Sequence, residues 1–210
     1  MEQQEPPPNS RRDEPRVSAP PRATEGTALY VHLPFCAAKC HYCDFFSVPD
    51  EGQDIDGMIA AILREAEVRA PARPRTLFLG GGTPSLLSAG QLTTLLDGLQ
   101  EITGWRGSAA EVSAECNPES LDLDKARCLL DLGVPRISIG FQSLDDETLK
   151  LFGRVHTAAE SFSAYEAARS AGIEHVNVDL IYAIPGQTAD EWSADLGRVL
   201  DLRPDHLSAY

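Results

Sequence analysis

From Ala28 to Tyr210 the chain alternates short apolar runs with longer stretches whose apolar residues recur at helical spacing. Residues 28–33 (ALYVHL), 75–80 (RTLFLG), 110–115 (AEVSAE), 136–141 (RISIGF) and 175–182 (HVNVDLIY) read as strands. Between them, amphipathic segments at 54–70, 88–103, 122–132, 157–171 and 189–202 read as helices. Near-continuous apolar strands in regular alternation with helices predict an α/β fold, a parallel sheet covered by helices. The closing DHLSAY reads as the start of a sixth strand, so the chain is expected to be a fragment of something longer, truncated at that strand.

Residues 1–26 break the pattern. They are rich in proline and charge and hold almost no large apolar residue. Such a segment cannot bury enough surface to offset its ordering entropy, which predicts a disordered tail ahead of an ordered unit at 27–210. A mitochondrial presequence is the other reading of this segment. Its arginines fit, and Glu2, Glu5, Asp13, Glu14 and Glu25 count against it.

Parallel β/α units place their functional loops at the C-terminal ends of the strands. The informative residues of this chain fall there. A cysteine-rich loop follows the first strand, Gly80-Gly81-Gly82-Thr83-Pro84 ends the second, and Glu115-Cys116-Asn117-Pro118 ends the third. Gln142 ends the fourth, and Asp179 lies near the end of the fifth. Five successive strands thus direct polar groups towards one mouth.

Composition narrows the class. Hydrophobic residues make up 42% and charged residues 24% of the 210, an ordinary globular balance. No apolar run approaches the roughly 20 residues of a membrane-spanning helix, and the N-terminus has no apolar signal-peptide region. The chain therefore reads as soluble and cytoplasmic. Its net charge of −14 disfavours nucleic acid as a partner and leaves a small cationic ligand open. Five cysteines in such a protein point to metal or redox use rather than disulfides.

Cys36, Cys40 and Cys43 stand in a C-x3-C-x2-C spacing. Three thiolates on one tight loop can hold three corners of a four-iron cluster and leave the fourth iron open to an exchangeable ligand. Zinc is the alternative, but a structural zinc site wants four protein ligands. The two remaining cysteines, Cys116 at a strand end and Cys128 within a predicted helix, lie far along the chain and read as packing residues. Phe35, Tyr42, Phe45 and Phe46 are expected to surround the cluster with low-dielectric packing, or simply to seal that end of the fold. The triple glycine is expected to bring exposed backbone N–H donors close to a ligand. It is not a Walker phosphate loop, since no Gly-Lys-Ser/Thr follows.

The segments LYVHLPFCAAKCHYCDF, LFLGGGTPSLL, RISIGFQS, LFGRVH and NVDLIYAIPGQT resemble the radical S-adenosylmethionine (SAM) superfamily, in order and over Leu29 to Tyr210. Within it they are similar to the branch of oxygen-independent coproporphyrinogen III oxidase and the heme chaperone HemW. The resemblance implies a partial (βα)6 radical SAM barrel with parallel strands. It implies a [4Fe-4S] cluster on Cys36, Cys40 and Cys43, with SAM on the open iron. By the same resemblance Tyr30 touches SAM, the backbone of Tyr42 meets its adenine, and Gly81, Gly82 and Thr83 hold its methionine end. Glu115, Gln142, Arg154 and Asp179 match the polar contacts from later strands and loops. Their chemistry suits these contacts, since Glu115 and Asp179 can accept from ammonium and ribose hydroxyls, and Arg154 can neutralise a carboxylate. In such enzymes an electron from the cluster cleaves SAM into methionine and a 5′-deoxyadenosyl radical, chemistry that belongs to the cofactor.

One position divides the branch. The decarboxylating oxidases carry a fourth cysteine two residues after the third, where this chain has Phe45. Asp44-Phe45-Phe46-Ser47 follows the pattern of the heme chaperone group instead. The resemblance thus implies a protein that holds cluster and SAM, carries heme as cargo and passes it to an acceptor protein, with an unidentified electron donor. The alternative is a coproporphyrinogen III oxidase (dehydrogenase) or another tetrapyrrole-modifying radical SAM enzyme. A tRNA-modifying role is disfavoured by the negative charge. Of His32, His41, His156, His175 and His206, none is singled out as a heme ligand.

Overall fold

The computed structural model describes residues 26–210, so the tail expected over 1–26 lies, but for Gly26, outside the described residues. Six strands form one sheet: β1 Ala28–Leu33, β2 Thr76–Gly81, β3 Glu111–Cys116, β4 Arg136–Gln142, β5 His175–Leu180 and β6 His206–Ala209. Every neighbouring pair is parallel, and the spatial order is the chain order, with β1 and β6 at the two edges. Sequential parallel strands joined by helices are the arrangement of a partial (βα)6 barrel.

The expected helices form as α1 Ile55–Arg69, α2 Ala89–Thr103, α3 Leu123–Asp131, α5 Ala158–Ala171 and α6 Ala189–Asp201. Their starts are fixed by side-chain caps at Asp54, Ser88, Asp122, Thr157 and Thr188. Gln91, Glu160 and Glu191 complete capping boxes on α2, α5 and α6. Gly104 and Gly172 end α2 and α5 in left-handed geometry, at φ 68° and 89°.

A further short helix, α4 Asp146–Leu151, lies outside the expected set. It has six residues and buries a single apolar side chain, Leu149, so it offers no periodicity to detect.

The strands are not apolar throughout. Leu77, Leu79, Ile137, Ile139, Val176 and Val178 share one face and are buried in the same core as Leu92, Leu95, Leu96 and Leu99 of α2. The alternate positions form a different surface. Glu115, Ser138, Asn177 and His206 stand in register across four strands, and Gly140, Asp179 and Ser208 make the next row. Tyr30 and His32 continue this face on β1. The concave side of the sheet is therefore polar, and it positions the site.

Candidate functional site

The cysteine loop is a closed excursion from β1. Phe35–Cys36 pairs in parallel with Val48–Pro49, and the Val48 and Asp50 amides donate to the carbonyls of Pro34 and Cys36 at 2.8 and 2.9 Å. Inside the excursion, Lys39 Nζ donates to the Phe45 carbonyl and, at 3.0 Å, to Ser47 Oγ. It also stands 4.0 Å from Cys43 Sγ. The far side of the loop is fastened to the end of α4. The His41 amide donates to Phe152 O at 2.9 Å, His41 Nδ1 lies 2.9 Å from Leu151 O, and Tyr42 packs edge-on to Phe152. The helix that left no mark in the hydrophobic pattern is thus the anchor of the cysteine loop.

The glycine turn forms the adjoining wall, for a reason other than the expected one. Its N–H groups are not exposed: Gly81 donates to Glu115 Oε2 at 2.9 Å, Gly82 to Leu33 O and Thr83 to Phe35 O, both at 2.7 Å. The missing side chains allow close packing of protein on protein. A Cβ at Gly82 would stand 2.5 Å from Phe35 O and 2.7 Å from Leu33 O, and Gly81 takes φ 106° with His32 against it. The glycines hold the strand that leads into the cysteines.

Asn117 bridges the two walls. Its Nδ2 donates to Thr83 Oγ1 at 2.9 Å, and its Oδ1 accepts from Arg154 Nη2 at 2.8 Å. The same Nη2 donates to Gly140 O at 3.0 Å, while Nη1 lies 3.6 Å from Cys40 Sγ. Asp179 is held from below, accepting from Ser138 Oγ at 2.6 Å and Asn177 Nδ2 at 2.8 Å. Asn177 in turn meets His206 Nδ1 and Ser208 Oγ. Gln142 adopts φ 65° where the β4–β5 register shifts. A non-glycine residue in left-handed geometry at a bulge is aimed by its backbone.

Together these walls enclose a cavity of about 620 Å³. Cys36, Cys40, Cys43, Tyr42, Gly81, Gly82, Thr83, Glu115, Gln142, Arg154 and Asp179 all line it. Tyr30 does not. It is 53% exposed lower on β1, its hydroxyl 2.9 Å from His32 Nδ1 and its ring stacked on Phe78. The aromatic seal is also only partly present. Phe35 is buried, whereas Phe45 and Phe46 are 66% and 76% exposed, with Phe45 at the cavity and Phe46 near His32. Lys39, His41, Asn117 and Phe152 escaped the sequence reading. For Asn117 the Glu115-Cys116-Asn117-Pro118 strand end was a usable signal; the others act through folds of the chain that leave none.

Burial is the chief influence on the ionisable groups. It pushes the Glu115 carboxyl up; the Gly81 amide draws it back, and the charge of Asp179 pushes it further. Burial likewise raises the Cys36 thiol against the pull of the Thr83 and Ser47 hydroxyls. Cys116, fully enclosed, is pushed up to about 12, in keeping with a packing role. Cys128 packs against the core from α3.

The donor set fits an iron–sulfur cluster. A lone zinc needs its ligands within about 2.3 Å of one point, and no three His, Cys, Asp or Glu side chains converge in that way among the described residues. The loop's three free, half-buried thiols all line the cavity, where thiolate ligands of a cluster would stand. Cationic donors beside Cys40 and Cys43 fit charged sulfur, and the buried Arg154 Nε has no partner, leaving a donor for a ligand.

Comparison with known proteins identifies the family. The model of the radical SAM superfamily matches residues 30–198. The heme chaperone HemW of Lactococcus lactis is 39% identical over 183 residues, covering 87% of this chain and 48% of that protein. The oxygen-independent coproporphyrinogen III oxidase of Pseudomonas aeruginosa is 35% identical over 197 residues, covering 90% and 43%. Among solved structures, the Escherichia coli radical SAM enzyme coproporphyrinogen III oxidase (HemN) superposes with a TM-score of 0.78 at 31% identity, over 88% of this chain and 43% of that one. The chain thus spans about half the length of the curated relatives it matches. It belongs to the radical SAM superfamily, in the branch that holds the heme chaperone HemW and the HemN-type coproporphyrinogen oxidases.

Proposed function

We propose that this chain is the core of a heme chaperone that holds a [4Fe-4S] cluster and SAM and hands heme to an acceptor protein. The observation that carries the reading is the meeting of Cys36, Cys40 and Cys43 with the carboxylates of Glu115 and Asp179 on one cavity. The three thiols would hold the cluster, which when bound supplies one-electron chemistry and an open iron for the amino and carboxylate groups of SAM. The remaining groups match the rest of that ligand. Glu115 and Asp179 give the cavity a negative lobe for its cationic parts, with Asp179 held immobile by Ser138 and Asn177. Gly81, Gly82, Thr83, Gln142 and Tyr42 shape the walls, Arg154 Nε is left as a donor, and Tyr30 would reach the ligand only by moving its ring from Phe78.

Phe45 supports chaperone over oxidase, since a fourth cysteine is missing at that position. The exposed ring of Phe45 also lines the cavity, an apolar surface suited to the flat face of heme. The acceptor and the electron donor are partner proteins still to be found. Among the described residues no helix is long and apolar enough to cross a membrane, and we place the protein in the cytoplasm. The second reading is a coproporphyrinogen III oxidase, favoured by the match to the Escherichia coli enzyme.

The two readings separate in one assay. Reconstituted full-length protein is incubated anaerobically with SAM, reductant and either hemin or coproporphyrinogen III. Stable hemin uptake and transfer to an apo-hemoprotein, without decarboxylation, is the expected result. Formation of protoporphyrinogen would sink the chaperone reading.

A further inference from the structure

Arg154 stands against the cysteine loop in a position its place in the chain does not explain. Its guanidinium is clamped from two strand ends, by Asn117 Oδ1 at 2.8 Å and Gly140 O at 3.0 Å. That clamp sets Nη1 3.6 Å from Cys40 Sγ, within hydrogen-bonding range of sulfur. A second charged group belongs to the same two segments, two residues beyond Asn117 and paired with the residue two beyond Arg154. Glu119, just past β3, places Oε2 3.3 Å from Nδ1 of His156, whose side chain is fully buried and whose Nε2 lies 3.3 Å from Phe141 O. Burial acts to raise the Glu119 carboxyl, but His156 and then Arg154 override it and hold it below the usual range. The cation beside the Cys40 sulfur thus shares its segments with a buried carboxylate that feels its charge.

We propose that Arg154 and Glu119 set the reduction potential of the cluster through the Cys40 sulfur, with opposite signs, Arg154 by direct donation and Glu119 by opposing its charge. Reduction adds one electron to the cluster. An N–H···S bond and a nearby positive charge stabilise the added negative charge and raise the potential, and a fixed carboxylate lowers it. Arg154 touches the sulfur, whereas Glu119 touches His156 instead, so the Arg154 effect is the larger. The proposal rests on the cluster reading, but it gives Arg154 a role that needs no SAM.

The test uses anaerobically reconstituted wild type, Arg154→Gln, Arg154→Lys and Glu119→Gln. Iron and sulfide are counted first. The cluster is then titrated with dithionite as the one-electron reductant, followed by electron paramagnetic resonance, without SAM and afterwards with it. In the absence of SAM, Arg154→Gln should lower the midpoint, Arg154→Lys should lower it less, and Glu119→Gln should raise it. Should Arg154→Gln fail to take up iron, Glu119→Gln, whose side chain touches no cysteine, decides the question. Unmoved midpoints at full iron content overturn the proposal and leave the cluster reading intact. So does a shift that appears only with SAM, which would make Arg154 a ligand contact alone. Wild type that takes up no iron sinks both.

Discussion

The two faces of the sheet are built from alternate residues of the same strands and obey opposite rules. On the helix side, Leu77, Leu79, Ile137, Ile139, Val176 and Val178 have no solvent exposure, and each contributes in proportion to the apolar area it removes from water. On the cavity side, Glu115, Ser138, Asn177 and Asp179 are polar, and each has a particular partner. The first surface is redundant in kind, so one loss weakens everything a little. The second is specific: burial pushes the Glu115 carboxyl up, so that surface opposes folding while it builds the site. Stability and chemistry should therefore separate by mutation.

The largest separation is expected between Cys40→Ala and Leu79→Ala. Removing one of three corner ligands should take the reconstituted protein from about four irons per chain to near none. The fold of the cluster-free form should change little, because Cys40 is a half-buried loop residue. Leu79→Ala, in the fully buried core, should cost roughly 2–5 kcal/mol in urea unfolding while the folded fraction still takes up iron. An iron assay beside the unfolding curves checks both. Full iron content in the Cys40 variant would break the comparison at its root.

The next contrast sets two glycines against each other. At Gly82 an added Cβ would press on the backbone carbonyls of Phe35 and Leu33. Backbone cannot step aside as a side chain can, so Gly82→Ala should cost roughly 1–3 kcal/mol and displace the strand entering the cysteine loop. Gly90, in the first turn of α2, meets nothing within 4 Å, and Gly90→Ala should instead stabilise by up to about 1 kcal/mol. Thermal melts with parallel iron counts decide it: iron uptake should fall for Gly82→Ala and hold for Gly90→Ala.

How much of this could be read from the chain follows the same division. Periodicity located the six strands and five of the helices, because the helix-facing core repeats its apolar residues at fixed intervals. The cavity face broadcasts no such signal: Ser138 and Asn177 matter only through register, which brings them beside Asp179 from two strands. The loop cysteines, the glycine turn, Glu115, Gln142 and Asp179 were legible where chemistry and strand ends coincide, whereas Tyr30, Tyr42 and Arg154 came from the resemblance; all but Tyr30 line one cavity. The role of the glycine turn was not legible, since a Gly-Gly-Gly run looks the same whether it admits a ligand or a neighbouring carbonyl. Nor was the exposure of Phe45 and Phe46, since an aromatic residue in a loop reads the same whether it packs or faces solvent.

The last contrast is the most discriminating, because its two halves have opposite signs. Glu115→Gln keeps an oxygen for the Gly81 amide and removes a charge from the cavity. Hydrogen bonds to charged groups contribute about 1.5–3 kcal/mol, so SAM should bind the reconstituted variant roughly 10–100-fold more weakly by equilibrium dialysis. Stability should move the other way. With its folded pKa raised, Glu115 contributes stability that is fully present below the ordinary carboxyl range and lost as pH rises through the raised value. Where the carboxyl is ionised, its burial is a cost that the Gly81 amide only partly offsets. The variant should therefore be slightly more stable than wild type at neutral pH, and the gap should close as the pH falls into the carboxyl range. A variant less stable at neutral pH with unchanged affinity for SAM would mean that Glu115 serves the glycine turn alone, and that the cavity face is as structural as the core behind it.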